Sequence, residues 1–195
     1  MFTSTRANAG DARAIAALHI ASWRDAYRAE LPPDYLAAID LHERAENWRK
    51  RIAAGTIVLL EKNGDSLAGF CACGPSRDDD ADPSYAWEIE NLHVAPTLRG
   101  GGIGSRLFDQ ASLLARDHGA GELSLWVVET NVRARRFYEA HGMHADGATQ
   151  RHVLAPGVSL DEVRYRLAFV PHHSSHARGA PSATDAKKAS PSTIQ

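Results

Sequence analysis

Apolar positions recur at two different periods along this chain, and the switch between them divides it. From Asp11, the stretch "DARAIAALHIASWRDAYRAE" sets Ile15, Leu18, His19, Ser22, Trp23 and Tyr27 on one stripe, the spacing of a helix that buries one side. Asp11 stands where an N-cap belongs. Pro32 and Pro33 stop that helix and open a shorter one through Tyr35 and Leu36. "LHERAENWRKRIAAG" predicts a third helix, ended by Gly55. The period then shortens. "TIVLLEK" and "SLAGFCACG" are strand-like and separated by Asn63-Gly64-Asp65, a hairpin turn signal.

A third strand, "YAWEIENLHV", stops at Pro96. "IGSRLFDQASLLARDHGA" returns to helical spacing with Ile103, Leu107, Ala111 and Leu114, and Gly119 ends it. "LSLWVVE" is a buried strand, "NVRARRFYEAHG" a short helix closed by Gly142, and "DEVRYRLAF" an alternating strand. The order is helices, a three-strand meander, then helix, strand, helix, strand. It predicts a mixed α/β sheet with helices on both faces. The acidic stretch "PSRDDDADPS" reads as a solvated surface loop. Residues 171–195, rich in Ser, Ala, His, Pro and Lys without periodicity, read as a disordered tail after a domain spanning 1–170.

Composition adds exclusions. With 195 residues, 44% hydrophobic and 24% charged, the chain has the makeup of one soluble globular domain. A formal charge of −2 gives no footprint for nucleic acid or an anionic membrane. No long apolar run or secretory leader is evident, which leaves the cytoplasm as the expected compartment. Cys71 and Cys73 in "FCACG" should share one strand face as buried thiols; their spacing suits neither a disulfide framework nor a zinc site. "HHSSH" in the tail has no second ligand set, so no metal is expected.

The glycine-rich "RGGGIG", residues 99–104, lies between a strand and a helix. Ser105-Arg106 after Gly104 lacks the lysine of a P-loop, and Gly100, Gly102 and Gly104 give G-x-G-x-G rather than the dinucleotide fingerprint. What survives is the physics these loops share. Glycines let backbone approach an anion, and the N–H groups of a helix N-terminus carry partial positive charge. A tight strand-to-helix turn would account for the glycines equally well.

Two blocks decide between these readings. Arg99, Gly102 and Gly104 fit R/Q-x-x-G-x-G/A; about thirty residues on, Asn131, Ala134, Phe137, Tyr138 and Gly142 fit N-x-x-A-x-x-F-Y-x-x-x-G. In this order they resemble the GNAT superfamily of acetyl-CoA-dependent N-acetyltransferases, over roughly residues 4–169. The resemblance implies a mostly antiparallel sheet with a V-shaped cleft between two parallel central strands, "ENLHV" and "LSLWVV". It further implies acetyl-CoA as co-substrate, with Leu92, His93 and Val94 meeting it along the strand. The backbone of Arg99, Gly100, Gly101, Gly102, Ile103, Gly104 and Ser105 would cradle its pyrophosphate, with the Arg99 side chain bracing the loop.

The implied reaction is direct acetyl transfer to an amine on a small molecule or peptide. An ammonium must lose a proton before it attacks a thioester. Glu88 and Glu90, spaced by two on one strand, are the candidate bases; each also suits a plain strand carboxylate. Alternation places His93 on the opposite face from both, which takes it out of that role. Tyr138 matches the family's general acid toward the CoA thiolate, or is a core aromatic beside Phe137. Asn131 caps its helix and is positioned to reach the pantetheine. Trp23, Tyr27 and Trp48 are candidates for the acceptor pocket or for the core. A non-catalytic acyl-CoA-binding module is the alternative function, and a homodimer is compatible with the resemblance.

Overall fold

A computed structural model describes residues 2–170; the expected tail, with "HHSSH", lies outside them. The chain builds one seven-stranded sheet, in the order β1-β2-β3-β4-β5-β7-β6. Its strands are β1 (Phe2–Arg6), β2 (Ile57–Asn63), β3 (Ser66–Pro75), β4 (Ala86–Val94), β5 (Glu122–Val128), β6 (His144–Ala155) and β7 (Val158–Ala168). The helices are α1 (Ala12–Ala26), α2 (Pro33–Ala38), α3 (Leu41–Ala53), α4 (Ile103–Asp117) and α5 (Val132–Ala140). Every element read from the sequence is present. The two additions, β1 and β6, lie at the sheet's edges, where β1 is exposed throughout and β6 is mostly so. None of the helices is long and apolar enough to cross a membrane.

Apolar alternation assigns the faces. Cys71, Cys73, Trp87, Ile89, Leu123, Leu125 and Tyr165 share one core with Ile103, Leu107 and Phe108 of α4 and Tyr138 of α5. Phe70, Ala72, Val58 and Leu60 point the other way, against Ile15 and Leu18 of α1 and Trp48 of α3. Both thiols are free and buried on one face, as their spacing predicts. Gly69 lets α4 settle on β3, since a Cβ there would lie 2.9 Å from Ile103 Cγ2.

Two expectations fail on local chemistry. Asp11 does not cap α1; its carboxylate takes the Asn8 amide and the Lys62 ammonium, while Asn8 caps the preceding single turn. The acidic loop is pinned rather than solvated. Asp78 accepts from Trp126 Nε1 at 2.8 Å and from Arg164 at 3.1 Å, and Asp80 from Arg164 at 2.6 Å. The Arg164 guanidinium is buried, and a buried cation draws in whatever carboxylates can reach it.

Candidate active site

The sheet forks at its one parallel pair. β4 and β5 stay together for three residue pairs, Ala86↔Glu122, Trp87↔Leu123 and Glu88↔Ser124, and then part. Beyond the fork β5 remains bound to β7 as far as Val128↔Glu162, and β4 remains bound to β3 as far as Gly69↔Val94. Between them opens a cavity of about 590 Å³. Ala95 donates its N–H to Ala68 of β3 at 2.9 Å. Alternation back along the strand therefore turns the peptide groups of Leu92 and Val94 away from β3, toward the open side. The amide of His93 points into the sheet, so His93 offers the cleft its side chain rather than the expected backbone contact.

A bulge sets which side chains of β4 face where. Ala72 pairs with Asn91 and Cys73 with Ile89, so Glu90 has no opposite number. The extra residue shifts the alternation by one. Trp87 and Ile89 before it, and Leu92 and Val94 after it, all pack toward α4. His93 is thereby carried to the same face as Glu88 and Glu90, not the opposite one. Its ring stacks 4.6 Å from His19 of α1, its Nδ1 lies 3.0 Å from Ser22 Oγ, and it lines the cavity. Burial, with the Arg99 and Arg44 charges beyond, pushes the His93 pKa down to about 4, which keeps the ring neutral at pH 7.

The two glutamates share a face and a partner. Arg77 Nη2 is 3.0 Å from Glu88 and its Nη1 3.0 Å from Glu90. Arg51 of α3 adds a 2.7 Å pair to Glu90. Glu90 lines the cavity; Glu88, buried behind Arg77, does not.

On the α4 side lies the glycine loop. A single proline-led turn, Pro96–Leu98, precedes it, and Gly100 and Gly102 take φ of +80° and +76°, a region costly for any residue with a Cβ. No side chain caps α4. The amides of Ile103, Gly104 and Ser105 are therefore left without intrahelical partners at the cavity wall. A phosphate-sized anion fits such an end. Gly104 packs against Phe137, which a Cβ would approach to 3.3 Å. Arg99, Gly100, Gly102, Ile103, Gly104 and Ser105 line the cavity, whereas Gly101 is exposed outside it. Arg99 pairs with Asp25 of α1, which ties the loop to that helix.

From α5, the Asn131 side chain accepts from Ala134 N at 3.1 Å, and its residue lines the cavity. Tyr138 is buried at the wall, and burial, followed by Cys71 and Tyr27 nearby, raises its pKa well above that of a free phenol. Trp23 and Tyr27, in edge contact at 5.2 Å, wall another face of the cavity, with Trp126 and Val128 of β5 also in its lining. Trp48 is core: it is 2% exposed, with its Nε1 bonded to His19. Two residues that sequence reading missed, Glu162 of β7 and His152 of β6, also line this face. Alternation in "DEVRYRLAF" put Glu162 opposite the core-facing Val163, but nothing in the sequence turned it toward the fork.

Sheet order, forked parallel pair and uncapped glycine loop together define an acetyltransferase that uses acetyl-CoA. The chain belongs to the acetyltransferase (GNAT) family, whose model matches residues 17–143. A Mycobacterium tuberculosis protein named "Probable N-acetyltransferase Rv2775" is 32% identical over 158 residues, covering 78% of this chain and 86% of that one. "Uncharacterized N-acetyltransferase YuaI" of Bacillus subtilis is 28% identical over 163 residues, with 84% and 91% covered. In fold, the chain is similar to PaiA N-acetyltransferase from Thermoplasma acidophilum, solved in complex with coenzyme A. That match has a TM-score of 0.67 at 15% identity, covering 87% of this chain and 99% of that one.

Proposed function

We propose that this enzyme moves the acetyl group of acetyl-CoA directly to a primary amine on a small molecule or peptide, with Glu90 as proton acceptor and Tyr138 as proton donor. The fork between β4 and β5 carries the reading. It leaves one stretch of β4 with free peptide groups on the cavity side, and Glu90 and His93 line that cavity. The pantetheine pairs with the groups of Leu92 and Val94, and the pyrophosphate sits on the loop amides at the start of α4.

The acceptor arrives as an ammonium, with an ordinary pKa near 10. Its proton passes through water to Glu90, because that carboxylate faces the cavity while Arg51 and Arg77 hold it in place. The freed nitrogen lone pair then forms the C–N bond at the thioester carbon. The Val94 N–H is oriented to stabilise charge developing on the carbonyl oxygen. As the C–S bond breaks, its electron pair leaves on sulfur, and the thiolate takes the Tyr138 proton. A phenol whose pKa is raised by burial stays protonated until that moment. The second proton of the acceptor nitrogen, acidic once the C–N bond has formed, returns to the phenolate. Glu90 gives its own to solvent, so the products are the neutral amide and the CoA thiol.

The test is release of CoA thiol from acetyl-CoA across a panel of primary amines, with the acetylated product identified by mass spectrometry. Turnover on at least one amine is expected. Tight acetyl-CoA binding without turnover on any of them would favour a non-catalytic acyl-CoA-binding module instead.

A further inference from the structure

Among the acidic side chains on the acceptor face, Glu162 is the one without an arginine or lysine pair among the described residues. Glu90, the other acid of the cavity lining, is held by two guanidiniums. Glu162 leaves 12% of its side chain exposed. Its oxygens meet Gln150 Nε2 at 2.8 Å and His152 Nδ1 at 3.5 Å. A carboxylate so enclosed is costly unless a positive charge answers it.

Its position tells what could answer. Glu162 projects from β7 opposite Val128, on the arm of the fork that has left β4, whereas Glu90 and His93 stand on the other arm. Tyr27 is close enough for the Glu162 charge to help raise its phenol pKa, after burial itself. Tyr27, in edge contact with Trp23, presents aromatic surface near the carboxylate, a surrounding that favours a cation. The arginines of the cavity lining do not take this place, and the His152 ring, whose pKa its contact with Glu162 raises, is half exposed and answers the carboxylate only when protonated. Arg99 is bound to Asp25, and Arg133 stands exposed at the start of α5 with no ion pair to Glu162.

We infer that Glu162, with Tyr27 nearby, seats a second positively charged group of the acceptor while the reacting amine lies across the cleft at Glu90. The acceptor class is then a dication: a diamine, or a molecule carrying a basic group apart from the nitrogen that is acetylated. Gln150 and His152 hold the carboxylate outward for that group. The inference rests on the reading of this face as the acceptor site of an N-acetyltransferase.

Two probes test it, 1,4-diaminobutane and n-butylamine, which differ by one terminal charge. Binding to the CoA-loaded protein is followed by calorimetry, and turnover by thiol release. The diamine should bind the wild type about tenfold or more tightly than the monoamine, and Glu162→Gln should bring that ratio close to one. The glutamine keeps the shape and can still bond Gln150, so the fold should persist; a thermal melt of the variant checks that. A wild-type ratio near one, or a ratio that Glu162→Gln leaves intact, overturns the assignment. An equal loss for both probes does so too, because it would put the reacting amine itself at Glu162. Charge-selective binding without release of thiol from either probe would count against the transferase reading while supporting the cation seat.

Discussion

Arg51 of α3 and Glu90 of β4 meet at 2.7 Å beside the cleft, with the Arg51 guanidinium lying 4.2 Å from the centre of the Trp48 ring. Core packing thus sets the carboxylate's position. Glu90 faces the cavity, and Glu88, two residues earlier and fastened to the same Arg77, does not. Glu90→Gln should therefore lower kcat by about 10²- to 10⁴-fold, the usual worth of general-base catalysis. Glu88→Gln should cost a small fraction of that. Steady-state rates of both variants with one acceptor decide it; equal losses would remove the distinction drawn between them.

Tyr138 gives a sharper separation of chemistry from folding. Its ring is packed among Phe108, Phe137 and Tyr165 at the wall of the cavity. Phenylalanine keeps the packing and removes the proton. Tyr138→Phe should lose about 10²-fold or more in kcat, leave the KM for acetyl-CoA within about threefold, and melt close to the wild type. A variant that turns over at the wild-type rate would take Tyr138 out of the mechanism.

Most of the donor side was legible in the sequence, because backbone-binding motifs announce themselves through glycine. The positive φ values at Gly100 and Gly102 favour glycine, and a Cβ at Gly104 would crowd Phe137 at 3.3 Å. The acceptor side was less so, for three physical reasons. A bulge at Glu90 inverts the phase of β4, and no residue type near it signals the extra position, so alternation misplaced His93. Edge strands need no buried face: "FTSTR" and most of "HADGATQRHVLA" are exposed and carry no two-residue period. With β6 unseen, His152 had no place beside Glu162. Finally, the acidic loop looked solvated because its partners, Arg164 and Arg166, lie more than eighty positions away.

That loop yields a stability prediction. Arg164, 8% exposed in its side chain, binds Asp78, Asp80 and Asp146 at 3.1, 2.6 and 2.7 Å. Arg164→Leu would leave two largely enclosed carboxylates, Asp78 and Asp146, without this cation, although Arg166 still reaches Asp146. Breaking a buried pair from one side costs about 3–5 kcal/mol, so Tm should fall by roughly 6–20 °C. The loosened loop also frees Trp126, which Asp78 anchors, and the acceptor KM should rise more than the acetyl-CoA KM. A melt within about 2 °C of the wild type would mean that the cluster is mere surface pairing.

The histidine pair predicts how stability follows pH. His19 is buried between Trp23, Trp48 and Phe70 with its ring 4.6 Å from His93. Its Nδ1 accepts from Trp48 Nε1 at 3.3 Å, which makes Nε2 the protonated nitrogen of the neutral ring. Burial, then the neighbouring His93, depresses the His19 pKa to about 2, and burial depresses that of His93 to about 4. In the unfolded chain both titrate near 6.5. Between pH 6.5 and 5 the unfolded state therefore binds protons that the folded state refuses, so stability must fall as pH falls. Each histidine contributes up to about 1.4 kcal/mol per pH unit below its unfolded pKa. Urea unfolding at pH 7, 6 and 5 should show a loss of stability over both steps, the second nearly twice the first. His19→Gln keeps an acceptor for Trp48 and removes one titrating ring, so it should lower stability at pH 7 yet flatten the pH slope by about half. Equal slopes in the variant and the wild type would show that the stacked rings play no part in it.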